Sequence, residues 1–427
     1  MCCVNLFMNP IYIILFVLFP VICMAQEDNF IISTIAFSGA DKTDTHFLED
    51  RISAKLGEPY STAQANQDIQ NLRNFPGIGN AKLQIDSLGN MLYLNFIIDE
   101  QQTLLPIVNF GGVEGNFWYQ LGFADNNFLG KGNFLSVQYQ NSDSRHSGQV
   151  YLRANNIKNT KWGFSTSLSR WASVEPLFFP SATVNYKYDY NSLAVSGIYN
   201  FTNQKQLEVG ANYFVENYEK ITNGNPMLPG PAALKQPKVL GMIRYVENYI
   251  NHQSFYQGGL SWSAIFQEVY NSSDHTFFHI FLFDARYFIR PTRTSNTAVR
   301  IHFGLATNNN SPFAPFVVDS RVNLRGAGNR IDRGTAQLVL NLEHRQTLFH
   351  TNLWAGQVVA FSDFGTWRNP GGVFGDLFDV TSFRHFVGGG VRLIYKKLFG
   401  AVLRLDYGVD IYNTSESGVV LGFGQYF

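Results

Sequence analysis

The feature of this sequence that most limits its fold is a series of segments, from about residue 116 onward, in which apolar and polar side chains alternate over roughly ten residues. In the clearest segment, 402–412, Leu403 and Leu405 alternate with Arg404 and Asp406. Successive side chains of a strand point to opposite faces, so each segment would have one apolar and one polar face. A strand that is apolar toward lipid and polar toward a lumen is typical of a transmembrane β-barrel.

The composition agrees with alternating strands. Aromatic residues make up 15% of the 427 residues, yet the mean hydropathy is only −0.09. A helical membrane protein would be more apolar, whereas a strand with one lipid face and one wet face averages to near zero. The 32 basic residues balance the 32 acidic residues, which argues against nucleic acid as a partner.

Counting these segments predicts about sixteen antiparallel strands, an even number as single-chain bacterial barrels have. The first strand is predicted near 117–124 and the last at 419–427, ending at Phe427, while the stretch around residue 190 is divided into strands at 180–189 and 193–202. The predicted seam between first and last strands therefore includes Phe423 and Phe427.

The connections between the predicted strands give the orientation. The three longest, 218–234, 309–334 and 366–384, all follow odd-numbered strands and so lie at one end of the barrel. Long loops outside the cell and short turns in the periplasm are usual for such barrels. The segment before the barrel is therefore expected in the periplasm.

The chain begins with a segment, 1–25, that resembles a cleaved export signal, with an apolar stretch from Ile11 to Ile22 and a small residue at Ala25. A basic start is missing, so an uncleaved anchor is the alternative, and lipid attachment at Cys23 fits poorly because Ile22 precedes it. All cysteines lie in this segment, so its removal leaves no disulfide or cysteine metal site.

Residues 29–103 have the pattern of a small α+β domain with the order β-α-α-β-β, ahead of a barrel at 105–427. A strand is predicted at 31–37, a helix at 45–55, a second helix capped by Ser61, and a hairpin of strands at 81–85 and 91–98.

Four stretches then suggest a family. They are the turn Asn127-Phe128-Leu129-Gly130-Lys131-Gly132, the pair Arg325-Gly326, the strand Leu340–Arg345, and the pattern Phe361-x-Asp363-x-Gly365. In this order and spacing they resemble motifs of the BamA/TamA-type outer-membrane assembly and translocation superfamily, also called bacterial surface antigens. The domain at 29–103 resembles a single POTRA domain. One departure is Ala327, where the family has an aromatic residue after the glycine.

The resemblance implies a non-enzymatic outer-membrane protein that inserts or translocates polypeptides without a cofactor. The POTRA domain would capture a client segment, and the barrel seam or pore would pass it. Membrane lipid and unfolded or secreted polypeptides are the implied partners, and accessory lipoproteins remain open. The alternatives are a passive channel or surface antigen, and a dedicated transporter for one secreted protein.

The residues themselves predict an electrostatic site. Glu343 shares a strand face with Arg345, and Asp363 shares one with Phe361 and Gly365, so both carboxylates can point into the lumen. A long loop folded inside could place Arg325 between them, because the planar guanidinium can bind two carboxylates. The alternative is that Arg325 is a solvated loop residue. No nucleophile, phosphate-loop or histidine metal pattern is present in the sequence, so we predict no enzyme activity and no metal.

Overall fold

The computed structural model describes residues 30–113, 116–142, 145–157, 160–222, 224, 227–253, 255–317, 323–328 and 333–427. The predicted export signal lies outside these residues. Within the described residues, no helix has both the length and the apolar character needed to cross a membrane.

The N-terminal domain has the predicted order β-α-α-β-β. Its elements are β1 (Ile31–Ser38), α1 (Thr45–Glu49), α2 (Thr62–Arg73), β2 (Ile78–Leu88) and β3 (Met91–Glu100). The sheet order is β1-β3-β2, with β1 parallel and β2 antiparallel to β3. Both helices cover one face, where Leu48, Leu72 and Phe96 are fully buried.

The first helix is shorter than predicted, ending at Glu49 rather than at residue 55. Asp68, on α2, is fully buried and accepts hydrogen bonds from the backbone N–H groups of Ser53 (2.7 Å) and Ala54 (3.0 Å). These bonds satisfy backbone donors outside the helix, so the chain leaves the helical path.

The rest of the chain forms a closed antiparallel barrel of sixteen strands, as predicted. The strands are β4 (Leu104–Val113), β5 (Asn116–Phe128), β6 (Asn133–Ser142), β7 (Arg145–Ala154), β8 (Trp162–Phe179), β9 (Ala182–Asn200), β10 (Lys205–Lys220), β11 (Ala233–Asn248), β12 (Tyr256–Asn271), β13 (Thr276–Ile289), β14 (Ser295–Ala306), β15 (Ala336–His350), β16 (Trp354–Arg368), β17 (Arg384–Tyr395), β18 (Val402–Asp410) and β19 (Ser417–Phe423). Short strands at Asn251–Gln253, Phe316–Val317 and Arg333–Gly334, and 3-10 turns at Phe374–Phe378 and Val380–Ser382, lie in the connections.

The predicted number of sixteen strands is correct, but two of the predicted strand assignments are wrong and their effects on the count cancel. The predicted strands at 180–189 and 193–202 are one strand, β9, because the polar residues between them stay paired with β8 and β10; Asn191, for example, lies opposite Arg170 and Val215. The true first strand, β4, was missed. It contains Pro106, which argues against a central strand but is tolerated here, because in the described residues β4 pairs across the seam only at Phe110 and Gly111.

The outer surface of the barrel is apolar, and the inner surface is polar. Side chains exposed on the outside include Leu168, Leu193, Val209, Ile243, Leu342 and Leu403. Such a continuous apolar surface would be unfavourable in water and fits the hydrocarbon of a membrane.

The long connections at 221–232, 307–335 and 369–383 follow β10, β14 and β16, the seventh, eleventh and thirteenth barrel strands. They therefore leave the same end of the barrel, as predicted. The N-terminal domain contacts turns at the other end, which follow even-numbered strands.

Candidate functional site: an ion network in the lumen

Arg325 lies inside the barrel and is fully buried. Its Nε donates a hydrogen bond to Asp363 Oδ2 (2.8 Å) and its Nη2 donates to Asp363 Oδ1 (2.9 Å). The Nη1 of the same guanidinium donates to Glu343, which is also fully buried. Asp363 is thus bound through both oxygens, the geometry in which an arginine–carboxylate pair is strongest and most directional.

Two neighbouring strands hold these carboxylates in place. Glu343 lies on β15 and Asp363 on β16, where Asn341 is opposite Asp363 and Glu343 is opposite Phe361. Alternate residues of a strand point to the same side, so these side chains all face the lumen. Asn341 also donates from Nδ2 to Asp363 Oδ1 (2.9 Å), which fixes the carboxylate that receives the arginine.

Two aromatic rings lie over the guanidinium of Arg325. The centre of the Phe361 ring is 3.8 Å from the guanidinium carbon, and that of Tyr426 is 4.5 Å away. A cation close to the face of an aromatic ring is stabilised by the ring quadrupole. Phe361 is one of the residues predicted from the sequence, whereas Tyr426 is not.

The residues beyond β19 do not continue the seam. The last strand ends at Phe423, and Gly424, with φ of 96°, turns the chain. The prediction that Phe427 belongs to the seam is therefore wrong: it is buried, and its carbonyl oxygen accepts a hydrogen bond from Arg345 Nη2 (3.4 Å). Phe423 does lie at the seam, where its N–H donates to Asn109 Oδ1 on β4 (3.2 Å).

Glycines on both sides allow the loop to approach the barrel wall. A Cβ on Gly326, whose φ is 95°, would lie 2.7 Å from the carbonyl oxygen of Gly408 on β18. A Cβ on Gly408 would lie 2.5 Å from the carbonyl oxygen of Arg325, and one on Gly418 of β19 would lie 2.8 Å from that of Gly326. The predicted residue Gly365 faces Leu324 in the same way, at 3.0 Å. Glycine inside a strand often marks such a close backbone approach, so the glycines of β18 and β19 are a sequence signal for the docked loop.

The network extends beyond the predicted residues. Arg345 donates to Glu343, and Arg392 on β17 bridges Glu343 (3.3 Å) and Asp406 of β18 (2.7 Å). All four side chains are almost completely buried. Asp406 lies on the polar face predicted for 402–412, whereas Arg392 was not among the predicted residues.

A second group of predicted residues, the turn between β5 and β6, contacts the N-terminal domain. The Oδ1 of Asn127 accepts from the Gly132 N–H (2.9 Å), and its Nδ2 donates to Thr43 Oγ1 (2.9 Å). The carbonyl oxygen of Gly130 accepts a hydrogen bond from the Asp44 N–H (2.9 Å). Phe128, the last residue of β5, pairs with Asn133 across the turn.

Both glycines of this turn are in contact with the N-terminal domain. A Cβ on Gly130 would lie 2.2 Å from the carbonyl oxygen of Lys42, and a Cβ on Gly132 would lie 2.3 Å from the Phe47 ring. Both have positive φ, of 73° and 63°. These contacts fix the position of the domain at the end of the barrel.

Two further turns complete this junction. Asn74 at the end of α2 donates from Nδ2 to Asn251 Oδ1 (3.0 Å). The N–H of Gln102 donates to the Lys397 carbonyl oxygen (3.2 Å), and the Phe399 N–H donates to the Gln102 carbonyl oxygen (3.1 Å). The domain is thus held at three barrel turns.

Glu100, at the end of β3, organises the segment that meets the turn. Its carboxylate accepts hydrogen bonds from the N–H groups of Asp41 (3.1 Å), Lys42 (2.9 Å) and Thr43 (2.8 Å). Partial burial alone would raise the pKa of Glu100, but the bonds from Thr43 and from this backbone outweigh it, so the pKa lies below its usual value.

The site has the properties of a docking arrangement. Every carboxylate of the network faces an arginine, and in the described residues no group of three or more histidine, cysteine, aspartate or glutamate side chains could hold a metal ion. The geometry positions Arg325 and Gly326 against the barrel wall.

Comparison with known proteins identifies the N-terminal domain. Residues 30–101 match the POTRA family model, described as a surface antigen variable number repeat. The predicted single POTRA domain is thereby confirmed. No curated protein matches the sequence significantly.

Solved structures share the fold of most of the chain. BamA from Haemophilus ducreyi lacking POTRA domains 1–3 is 15% identical, with a TM-score of 0.53 over 92% of this chain and 84% of that chain. CdiB from Acinetobacter baumannii is 12% identical, with a TM-score of 0.58 over 93% of this chain and 74% of that chain. CdiB from Escherichia coli is 10% identical, with a TM-score of 0.62 over 93% and 77%. The predicted resemblance is confirmed for the POTRA domain and for the fold of the barrel.

Proposed function

We propose that this chain, an outer-membrane β-barrel protein with one periplasmic POTRA domain, inserts polypeptides into the outer membrane or moves them across it. The proposal rests above all on the seam. Strands β4 and β19 are joined by two residue pairs, Val420 with Gly111 and Leu421 with Phe110, whereas β4 and β5 share ten. Among the described residues, the seam has the fewest residue pairs of any two neighbouring long barrel strands, so we expect it to open most easily.

The POTRA domain offers a place for a client segment. Strand β2 lies at one edge of its sheet, and in the described residues its outer side has no strand partner. The Ala81 carbonyl oxygen is bonded by Arg73, but the residues from Gln84 to Leu88 are largely exposed. An extended peptide can add to such an edge through main-chain hydrogen bonds, with little demand on its sequence.

The ion network would then keep the loop fixed beside the seam during transport. Arg325 and Gly326 lie against β18 and β19, the strands that lead to the seam. We propose a positioning role for Arg325, Glu343 and Asp363, without direct contact between them and the client.

The proposal is tested by depleting the protein in its own host and measuring the outer-membrane and secreted proteomes. A fall in many outer-membrane proteins supports a general assembly role. Loss of a single exported protein supports a dedicated transporter. Unchanged proteomes would contradict polypeptide transport and leave a channel or surface antigen. Rescue by the wild-type gene, and by an Arg170→Lys variant outside the network, controls for expression.

A further inference from the structure

A cavity lies in the lumen, against the wall formed by β5 to β10. Its volume is about 460 Å³, and none of its lining residues belongs to the arginine network. Sites for small molecules commonly have about 300–1,000 Å³. The cavity is therefore large enough for a ligand of a few rings.

The side chains that line this cavity carry no net charge. Amide and hydroxyl side chains dominate it, and the two charged residues that line it, Glu175 and Arg333, form an ion pair with each other. A phosphate group or a polyanion would require unpaired basic residues. The wall instead favours a neutral ligand that both donates and accepts hydrogen bonds.

The amides of this wall are held in fixed orientations by a chain of hydrogen bonds across five strands. The bonds run from Asn109 to Gln120 (3.1 Å), from Gln120 to Gln138 (2.6 Å), from Gln138 to Gln149 (2.5 Å), and from Gln149 to Ser169 (3.1 Å). Each amide is thus oriented by its neighbour before any ligand arrives, and such preorganisation reduces the entropy lost on binding.

Aromatic rings form one side of the cavity. Trp171 on β8 lies opposite Tyr190 on β9, and the rings of Tyr188 and Tyr190 are stacked with centroids 6.3 Å apart. Asn212 on β10 donates from Nδ2 to the Tyr190 hydroxyl (3.2 Å), while its buried Oδ1 accepts no hydrogen bond from the described residues. A ligand here would meet flat apolar rings beside an unused acceptor.

We propose that this cavity binds a neutral oligosaccharide. A sugar ring has an apolar C–H face that packs on aromatic rings and a rim of hydroxyls that donate and accept, which matches the rings and the amides of the wall. A peptide segment would match the amides, but it does not require aromatic rings beside them, as Trp171, Tyr188 and Tyr190 are here. This site is independent of the transport of polypeptides proposed above.

The experiment measures binding to the purified full-length protein in detergent by isothermal titration calorimetry. The probes are maltotriose, cellotriose, mannotriose and N,N′,N″-triacetylchitotriose, with trigalacturonic acid as a charged counterpart of similar size. We expect at least one neutral trisaccharide to bind and the charged one not to bind. Trp171→Leu and Asn212→Leu should each weaken binding by about tenfold.

Trp162→Leu is the matched control, because Trp162 lies on the same strand, is 59% exposed and does not line the cavity. Its binding should equal that of the wild type. Each variant is also checked for the barrel fold. A sample that has not been heated should remain folded in detergent.

Three results would overturn the proposal. The first is absence of binding by every neutral trisaccharide. The second is binding that both Trp171→Leu and Asn212→Leu leave unchanged. The third is that the protein binds no trisaccharide but binds an unstructured peptide, and that these variants lose the binding of the peptide.

Discussion

The ring of Tyr426 lies 4.5 Å from the guanidinium carbon of Arg325. A residue beyond the last strand thus contacts the loop that connects β14 to β15. In the superfamily that the sequence resembles, an aromatic residue follows the arginine–glycine pair; here Ala327 takes that place. In this protein Phe361 and Tyr426 supply aromatic contacts to Arg325.

We therefore predict that Tyr426→Leu destabilises the docked loop by about 2 kcal/mol, the value of a desolvated cation–π contact. Tyr426→Phe should keep most of this stability because the ring remains. The measurement is the temperature at which the folded barrel converts to the unfolded form on a gel. Equal midpoints for the Leu and Phe variants would show that the ring does not hold the loop.

Arg325→Lys should lose the function while the barrel still inserts. A lysine cannot make the two parallel hydrogen bonds that Arg325 gives to Asp363, and breaking a buried pair costs about 3–5 kcal/mol. The matched control is Arg170→Lys, whose pair with Asp189 is exposed and contributes at most about 1 kcal/mol. Rescue of a depletion strain by Arg325→Lys as well as by Arg170→Lys would refute the positioning role.

Gly132→Ala should release the POTRA domain from the barrel. The new Cβ would lie 2.3 Å from the Phe47 ring. Gly89→Ala is a close control, because Gly89 has nearly the same φ, 64° against 63°, but no atom within 4 Å of its Cβ position. Both variants carry the backbone strain of about 1–2 kcal/mol, so only the contact differs.

The measurement is the rate at which a protease separates the POTRA domain from the barrel in the intact protein. We expect faster cleavage for Gly132→Ala than for wild type and Gly89→Ala. If Gly89→Ala is cleaved as fast as Gly132→Ala, the backbone strain, and not the contact with Phe47, is the cause.

The segment around Thr43 should loosen in acid. Hydrogen bonds keep the pKa of Glu100 below its usual value of 4.5, so the carboxylate stabilises the fold above that pH. This contribution is lost as the pH falls from 4.5 through the lower pKa of the folded state. Hydrogen exchange of the Lys42 and Thr43 amides should accelerate over this range in the wild type. In Glu100→Gln the exchange rates should vary less with pH after correction for intrinsic exchange, and an unchanged profile would contradict the assignment.

Locking the seam should stop transport. Leu421 lies opposite Phe110 across the seam and opposite Leu405 within the wall. A disulfide between Leu421→Cys and Phe110→Cys should abolish function until a reductant is added. The pair Leu421→Cys and Leu405→Cys, which joins β19 to β18, should have no effect. Full function of the oxidised seam pair would exclude opening at this joint.

Much of this structure could be predicted because alternation along a strand decides which side chains share a face. That rule alone placed Glu343, Arg345 and Asp363 on the inner surface. It could not show that Arg392 reaches Glu343, because the distance between side chains depends on barrel curvature and strand register. These properties arise from the whole closed sheet.

The failures have related causes. The first strand contains Pro106, and a proline argues against a strand that is paired on both sides. It is accepted here because β4 is only loosely paired across the seam. The first helix is shorter than predicted because the Asp68 carboxylate binds the backbone N–H groups of Ser53 and Ala54. In both places the surrounding structure overrode the local sequence pattern.

The series of side-chain hydrogen bonds from Asn109 to Ser169 should also affect the stiffness of the barrel wall. On that side of the seam, neighbouring strands are tied by side chains as well as by their backbones. On the other side, β17 to β19 carry glycines where the loop rests, among them Gly408 and Gly418. The two flanks should therefore differ in stiffness, and any widening of the barrel would bend the glycine-rich flank while the amide-braced flank keeps its curvature.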